Sequence, residues 1–568
     1  MADDKVIAAQ ATDEPSGARR SVENETPLVQ ESPATQEEPP EIKYPSGLAL
    51  TVIVTGLLLS VFLVALDISI ISTAIPSITS EFHSMSDVGW YGSAFFLTLA
   101  AFQSFWGKAY KYYSLRLVFI AAISVFEVGS LVAALAPSSN ALIVGRAIQG
   151  AGGSGLTSGC YTIAAFLVPP ERVNIMVGLF GSTFSMSSVV GPLLGGAFTQ
   201  TLTWRWCFWI NLPIGGVAVF SLLFFKPPAH SRTNFEMGLR DTILSFDPLG
   251  VIMVTGSLVC FFLALQWGGT TKPWSSGVVI ALLVVWIITT ITWVVVEWFQ
   301  KDRALMAPRI LANRHLAACC VFIFFLSSAN FSLIYNIPIY FQAVKGKSPL
   351  MSGVLTIPTI LSTSFSTLIS CAIVGRIGFY QPFLVAGAVL ATIGAGLIYT
   401  WKLHTGIGPI IGYQIICGVG TGISVQIPVL VAGVVTTSAD QAISTATVLF
   451  FQFVSAAYGV GATDAILNNV LLSWLPQYLP DEDPHEVLKL GSSALQTRFE
   501  GEKLRGARRA YMKGLHASWA LAIALFGVAT LASLIPKSGG HMMPRENQSD
   551  QEKQRDSNEN LTAAEAPA

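Results

Sequence analysis

Fourteen apolar stretches punctuate this sequence, at about 48–72, 87–107, 117–137, 140–164, 173–198, 205–225, 248–267, 277–298, 316–340, 351–374, 382–402, 409–432, 443–466 and 514–535. A run of about 20 apolar residues crosses a hydrocarbon core of about 30 Å as a helix, and a helix satisfies its own backbone polar groups where no water can. A membrane barrel would instead show short alternating segments. Composition agrees: 52% of the residues are hydrophobic and 12% charged, against roughly 25% charged in an average soluble domain. The expected fold class is an all-α membrane protein with fourteen transmembrane helices. Residues 1–45 and 537–568 carry no apolar run and are rich in charged and small polar residues. They are expected to be disordered tails, the first without a cleavable signal peptide.

A formal charge of −1 excludes nucleic acid as a partner, because phosphate backbones need a concentrated basic surface. The expected partners are the lipid bilayer, a small-molecule substrate and protons, and the chain is expected to be a monomer. Seven cysteines (Cys160, Cys207, Cys260, Cys319, Cys320, Cys371, Cys417) lie in or beside apolar stretches without metal-ligand spacing, which reads as helix packing. An even number of spans puts both ends of the chain on one side, and the distribution of Lys and Arg places that side in the cytosol. The inner loops would hold Lys108, Lys111, Arg116, Arg172, Lys226, Arg232, Arg240, Lys301, Arg303, Arg309, Arg314 and Arg376, against Arg205, Lys272, Lys345, Lys347 and Lys402 outside. One segment disagrees: 467–513, expected as a long outer loop, carries Lys503, Arg505, Arg508, Arg509 and Lys513. The expected location is the cell membrane, with a vacuolar or vesicular membrane as the other option.

An internal repeat organises the spans. Gly107-Lys108 with Tyr112 after the second stretch resembles Gly375-Arg376 with Tyr380 after the tenth, and Gly150-Ala-Gly152 resembles Gly418-Val-Gly420, both at an offset of 268 residues. A parallel duplication follows: one six-helix bundle at 46–225, a copy at 316–536, and between them 226–315 with two inserted helices. Two such halves are a transporter architecture, with the substrate cavity between them near mid-membrane.

Ionisable residues inside spans are costly and are candidates for function. Asp67 lies about 19 residues into the first stretch, and Arg146 about six residues into the fourth from the other side, which is comparable depth at 1.5 Å per residue. Paired, they form either a proton switch that protonation of Asp67 would break or a fixed structural bond. Glu127 sits mid-span as a second proton site or a buried packing carboxyl. Asp464 and Glu297, near span ends, are expected to snorkel to water. Gly150-Ala-Gly-Gly-Ser-Gly155 spells GxGxxG, but no strand precedes it, so close helix packing is the reading and not nucleotide binding. The same density of small residues marks Gly178, Gly191, Pro192, Gly195 and Gly196, where Pro192 would also bend the helix. No residues point to a catalytic site, a metal or a cofactor, so an enzyme is not expected. Trp90, Tyr91, Phe95, Phe96, Tyr335, Asn336, Gln342 and Gln426 are the candidates to line a substrate cavity.

Over about 46–536 the sequence resembles the fourteen-span drug:proton antiporters of the major facilitator superfamily, especially fungal multidrug and mycotoxin or secondary-metabolite efflux pumps. Arg146-Ala-Ile-Gln149-Gly150 is similar to the family's fourth-helix motif, whose arginine is associated with proton coupling. Gly178 through Gly191-Pro192-Leu-Leu-Gly195-Gly196 resembles its fifth-helix antiporter motif, and Leu66-Asp67 with Pro76 its first-helix motif. Further similar strings are Trp204-Arg205-Trp206 through Asn211 and Pro213, Leu265 through Gly269, and Ile339 through Gly346. The loop beginning at Gly107 departs, with Lys111 where the family usually has an acid and Ser114 where it has glycine. The resemblance implies the major facilitator fold and proton-coupled export of a largely apolar small molecule. Proton-coupled uptake of a siderophore or nutrient is the alternative on the same fold.

Overall fold

The computed structural model describes residues 44–83, 87–225, 240, 244–437 and 440–536. The expectations for the tails up to residue 43 and from 537, and for Lys226 and Arg232, lie outside the described residues. All fourteen apolar stretches are helical. The first six are α1 (Gly47–Phe82), α2 (Val88–Ala101) running into α3 (Gln103–Tyr112), α4 (Leu115–Ala134), α5 (Ser139–Leu167), α6 (Pro170–Thr201), and α7 (Trp206–Trp209) with α8 (Asn211–Leu222). Next come α9 (Pro248–Trp267), α10 (Gly277–Gln300) and the short α11 (Pro308–Leu311). The rest are α12 (Arg314–Ile339), which ends in a π-turn at Tyr340–Val344, α13 (Pro349–Ile377), α14 (Gln381–Tyr399), α15 (Ile407–Val425) with α16 (Ile427–Val435), α17 (Gln441–Tyr478), α18 (Pro484–Arg498) and α19 (Gly501–Ala532). A bridge of β type joins Gly268 and Lys272.

Eleven of these helices are long and apolar enough to cross a membrane. Three of the fourteen expected spans fall short of that measure for visible reasons. The α2–α3 pair ends in Gln103, Lys108 and Lys111, α5 is diluted by glycine and Arg146, and α7–α8 is short. α10 shows most directly what surrounds the bundle. Only Val279, Trp293 and Glu297 on it are buried, while Ile288, Ile291, Val294 and Phe299 stand exposed. An apolar face of that length is stable against lipid and not against water.

Glycines set how closely the helices approach. A Cβ on Gly152 would meet the Phe126 backbone of α4, and one on Gly420 the Ala391 backbone of α14; thus the GxGxxG string serves packing. The repeat also appears across the bundle. A Cβ on Gly107 (α3) would lie 3.2 Å from the Ala442 carbonyl of α17, and one on Gly375 (α13) 2.9 Å from Asn174 Cβ of α6. Positions 174 and 442 are themselves 268 residues apart, so the two contacts are related by the same offset as the glycine strings. Accordingly α6 packs along both α1 and α13, and α17 packs on α2 and α3.

Two connecting regions differ from expectation. The segment 467–513 is mostly helical: α17 continues to Tyr478, α18 is capped by Asp483 accepting from the His485 amide, and α19 starts at Gly501. Hydropathy reads it as loop because its helices are polar on the outside. Glu297 does not snorkel; it is 6% exposed and accepts from the Met306 amide at 2.9 Å. With Asp247, which accepts from Gly250, Gln300 and Leu305, it fastens α9 and α10 to the chain that follows. Lys108 joins the same junction by donating to the Ser245 and Arg303 carbonyls, both at 2.7 Å.

Candidate functional site

Asp67 of α1 and Arg146 of α5 meet in an ion pair with both side chains 0% exposed. The α-helical period brings Gln149 onto the same face of α5 as Arg146, three residues on. Gln149 Nε2 and Asn211 Nδ2 both donate to Asp67 Oδ1, each at 3.2 Å, while the Arg146 guanidinium holds Oδ2. Both amides also donate to Ser130 Oγ of α4, at 2.8 and 3.1 Å. Arg146 Nε donates to the Tyr91 carbonyl at 2.8 Å, and its guanidinium lies 4.6 Å from the centre of the Phe95 ring. Five helices thus converge on one carboxylate. A buried charge is tolerable only when paired and hydrogen-bonded, and every element of that condition is met here.

Glu127 stands one turn before Ser130 on α4, and neither of its carboxylate oxygens has a hydrogen-bond partner among the described residues. Its Oε1 occupies the space left by the missing side chain of Gly215 on α8. The structure therefore brings Asp67 and Arg146 together and leaves Glu127 outside their hydrogen bonds.

The small residues of α6 divide by face. A Cβ on Gly191 would lie 2.9 Å from the Ile70 amide nitrogen, and one on Gly195 2.6 Å from the Ile70 carbonyl, so α6 rides directly on α1 just past Asp67. Ser69 Oγ donates to the Ser187 carbonyl at 3.3 Å across the same seam. Gly178 faces Leu368 and Cys371 of α13, while Gly196 faces open space. α6 runs as one helix through Pro192. Ser182 Oγ donates to the Ser364 carbonyl of α13 at 2.7 Å.

A cavity of about 60 Å³ lies where α1, α5 and α6 face α12, α13 and α17. Phe184, Phe331, Phe453, Asn330, Gln426 and Gln452 are among its walls. Of the eight residues expected at a substrate cavity, Gln426 lines this one and accepts from the Tyr161 hydroxyl. Phe96 and Tyr335 form the next layer, 6.3 Å apart ring to ring, with Phe96 edge-on to Phe331. Tyr91 is bonded to Ser139, Phe95 lies under Arg146, and Gln342 sits in the π-turn at the far end. Trp90 is half-buried on α2, and the Asn336 amide is buried without a partner among the described residues. Drug-sized ligands fill roughly 300–1,000 Å³, several times the volume of this cavity.

A second charged cluster was not foreseen. Asp440, just before α17, accepts Arg309 Nη1 and Nη2 at 2.6 and 2.8 Å and Lys111 Nζ of α3 at 2.8 Å. Hydrogen bonds from Arg309 first, then Lys111, hold its carboxyl well below the usual carboxylate range. In the sequence, Lys111 stands as an inner-loop cation and as a departure from the family loop. Its partner lies 329 residues away and outside every apolar stretch.

Residues 57–462 match the family described as the Major Facilitator Superfamily. The chain is 42% identical over 495 residues to the MFS-type transporter GME11371 of Pestalotiopsis microspora, which covers 87% of this chain and 91% of that one. It is 40% identical over 503 residues to the MFS-type efflux pump MFS1 of Arthroderma benhamiae, covering 89% and 94% respectively. Among solved structures it is similar to the proton:xylose symporter XylE, with a TM-score of 0.57 and 13% identity over 87% of this chain and 97% of that one. At that identity the likeness is one of fold.

Proposed function

This chain belongs to the major facilitator superfamily and is a multi-pass membrane transporter, and from that premise we propose that it exports a largely apolar small molecule from the cytosol in exchange for protons. The proposal includes fourteen spans in a six, two and six arrangement, both termini in the cytosol, and a monomer in the cell membrane. Its substrate would be a secondary metabolite, mycotoxin or drug. Similarity to a protein named as an efflux pump supports the direction, and the aromatic and amide walls of the central cavity support the substrate class.

The observation that carries proton coupling is the sealed Asp67–Arg146 pair. Protonating Asp67 removes one charge of the pair, and the unpaired Arg146 cation then favours a rearrangement that reaches water or another partner. α1 would transmit that change, because Ser69 and Ile70, within one turn of Asp67, are in direct contact with α6. α6 in turn carries it to α13 and so to the other half. Gly178, Gly191, Pro192, Gly195 and Gly196 would form the sliding face, and Glu127 a second proton site. The Lys111–Asp440–Arg309 cluster would close the cytosolic side and part when the cavity opens inward.

In proteoliposomes, Asp67→Asn is expected to abolish substrate efflux driven by a pH gradient in the protein that still folds and reconstitutes, with a lowered thermal midpoint because Arg146 is left buried without its counter-charge. Proton-driven efflux undiminished in that variant would overturn the coupling assignment. Direction is read separately: cells expressing the protein should accumulate a labelled substrate when the pH gradient is collapsed, and a loss would mean uptake.

A further inference from the structure

At the end of the bundle opposite the start of α1, the second half holds a cavity of about 590 Å³ bounded by the π-turn, the α14–α15 connection and the first turns of α19. Every wall residue belongs to 344–516, so this cavity is separate from the passage between the halves. Lys345, Lys402, Arg505, Arg508, Arg509 and Lys513 line it, together with two histidines and no carboxylate. Four of these six cations sit on one face of α19, at three- and four-residue spacing. Like charges so placed repel each other.

The protein neutralises little of this charge itself. Arg505 pairs with Glu502 at the rim. Lys345 spends its ammonium on the Leu403 and Thr405 carbonyls, both at 2.8 Å. Burial first, then Lys347 and Arg508, push Lys345 below its ordinary value, a sign of a local field that is positive on balance. Arg508 donates through Nη2 to Gln496 at 2.6 Å, but its Nε is buried with no partner among the described residues. Arg509 and Lys402 make no ion pair among the described residues.

We propose that this cavity is a binding site for a phosphate-bearing anion, held by Arg508, Arg509 and Lys402. Arginine forks fit phosphate oxygens two at a time, and charge-assisted bonds of this kind are the strong ones. The phosphate of a lipid headgroup offers these side chains the same chemistry as a free phosphate ion. Lys513 lies 4.8 Å from the Trp474 ring, which stacks on Tyr478, and Trp519 is fully buried below them. Tryptophan and tyrosine gather at the membrane–water interface.

The test uses the full chain purified in detergent, and a Lys402→Gln/Arg509→Gln variant, since neither side chain supports the fold through an ion pair. Thermal midpoints are measured with inorganic phosphate, with pyrophosphate and with chloride at matched ionic strength. Lipid retention is measured by native mass spectrometry from nanodiscs of phosphatidylcholine with and without phosphatidic acid. Phosphate or phosphatidic acid should bind the parent, and the variant at least about tenfold more weakly, with equal midpoints in chloride. A response to the salts alone assigns a free anion, and one to phosphatidic acid alone a headgroup. No response beyond chloride and phosphatidylcholine, or equal binding by parent and variant, would overturn the site.

Discussion

Ser69 and Ile70 follow Asp67 by two and three residues, and it is there that α6 touches α1, so the charge and the close-packed seam are parts of one local structure. Gly195→Val should therefore cost about 1–3 kcal/mol through overpacking, read as a lowered thermal midpoint with lost transport. Gly196→Ala, one position on and facing open space, should change neither. Equal effects from the two would show that α6 is not held against α1 as described. The pairing of Asp67 with Arg146 was legible from depth alone, because helical rise is constant. Gln149 and Asn211 stood within strings that resemble the family, whereas Ser130 carried no signal, since one serine in an apolar stretch looks like any other. Glu297 misled because a carboxylate near a span end usually reaches water, and here the Met306 amide gives it a partner inside.

At the scale of elements, the junction of α3, α11 and α17 is a charged clasp whose polarity can be reversed as a test. Lys111→Asp should weaken it by on the order of 1 kcal/mol, given its partial exposure, and Lys111→Asp with Asp440→Lys and Arg309→Asp should recover part of the loss. The readout is the distance between fluorophores on α3 and α17. The sign of its pH response also follows. Asp440 is depressed below its unfolded value, so its contribution is present at any pH above about 4, the ordinary carboxylate value, and is lost only as pH falls through the lower folded value. The fluorophore distance should accordingly stay constant from about pH 8 to about pH 5; a change within that window would mean that another group controls the clasp. Sequence reading could not find this pairing, because each residue sits in a polar connection where charges are ordinary.

For the molecule as a whole, the apolar exterior of α10 makes a direct claim on its surroundings. Ile288, midway along it and 57% exposed, should tolerate Leu, whereas Ile288→Arg should cost about 3 kcal/mol of insertion, measured with a glycosylation reporter for membrane integration. The helical architecture was readable from apolar length. The helical character of 467–513 was not, since polar helices outside the bilayer leave no mark in hydropathy. The duplication also exposes an asymmetry. At the offset of 268 residues, the positions matching Lys111 and Asp440 are Phe379 and Arg172, a phenyl ring and a cation that cannot form an ion pair. The ion pair at Lys111 and Asp440 thus has no ionic counterpart at the positions related to it by that offset. Under the proposed mechanism, the charged cluster is the contact whose parting a drop in ionic attraction would favour, and its counterpart by offset has no such lever.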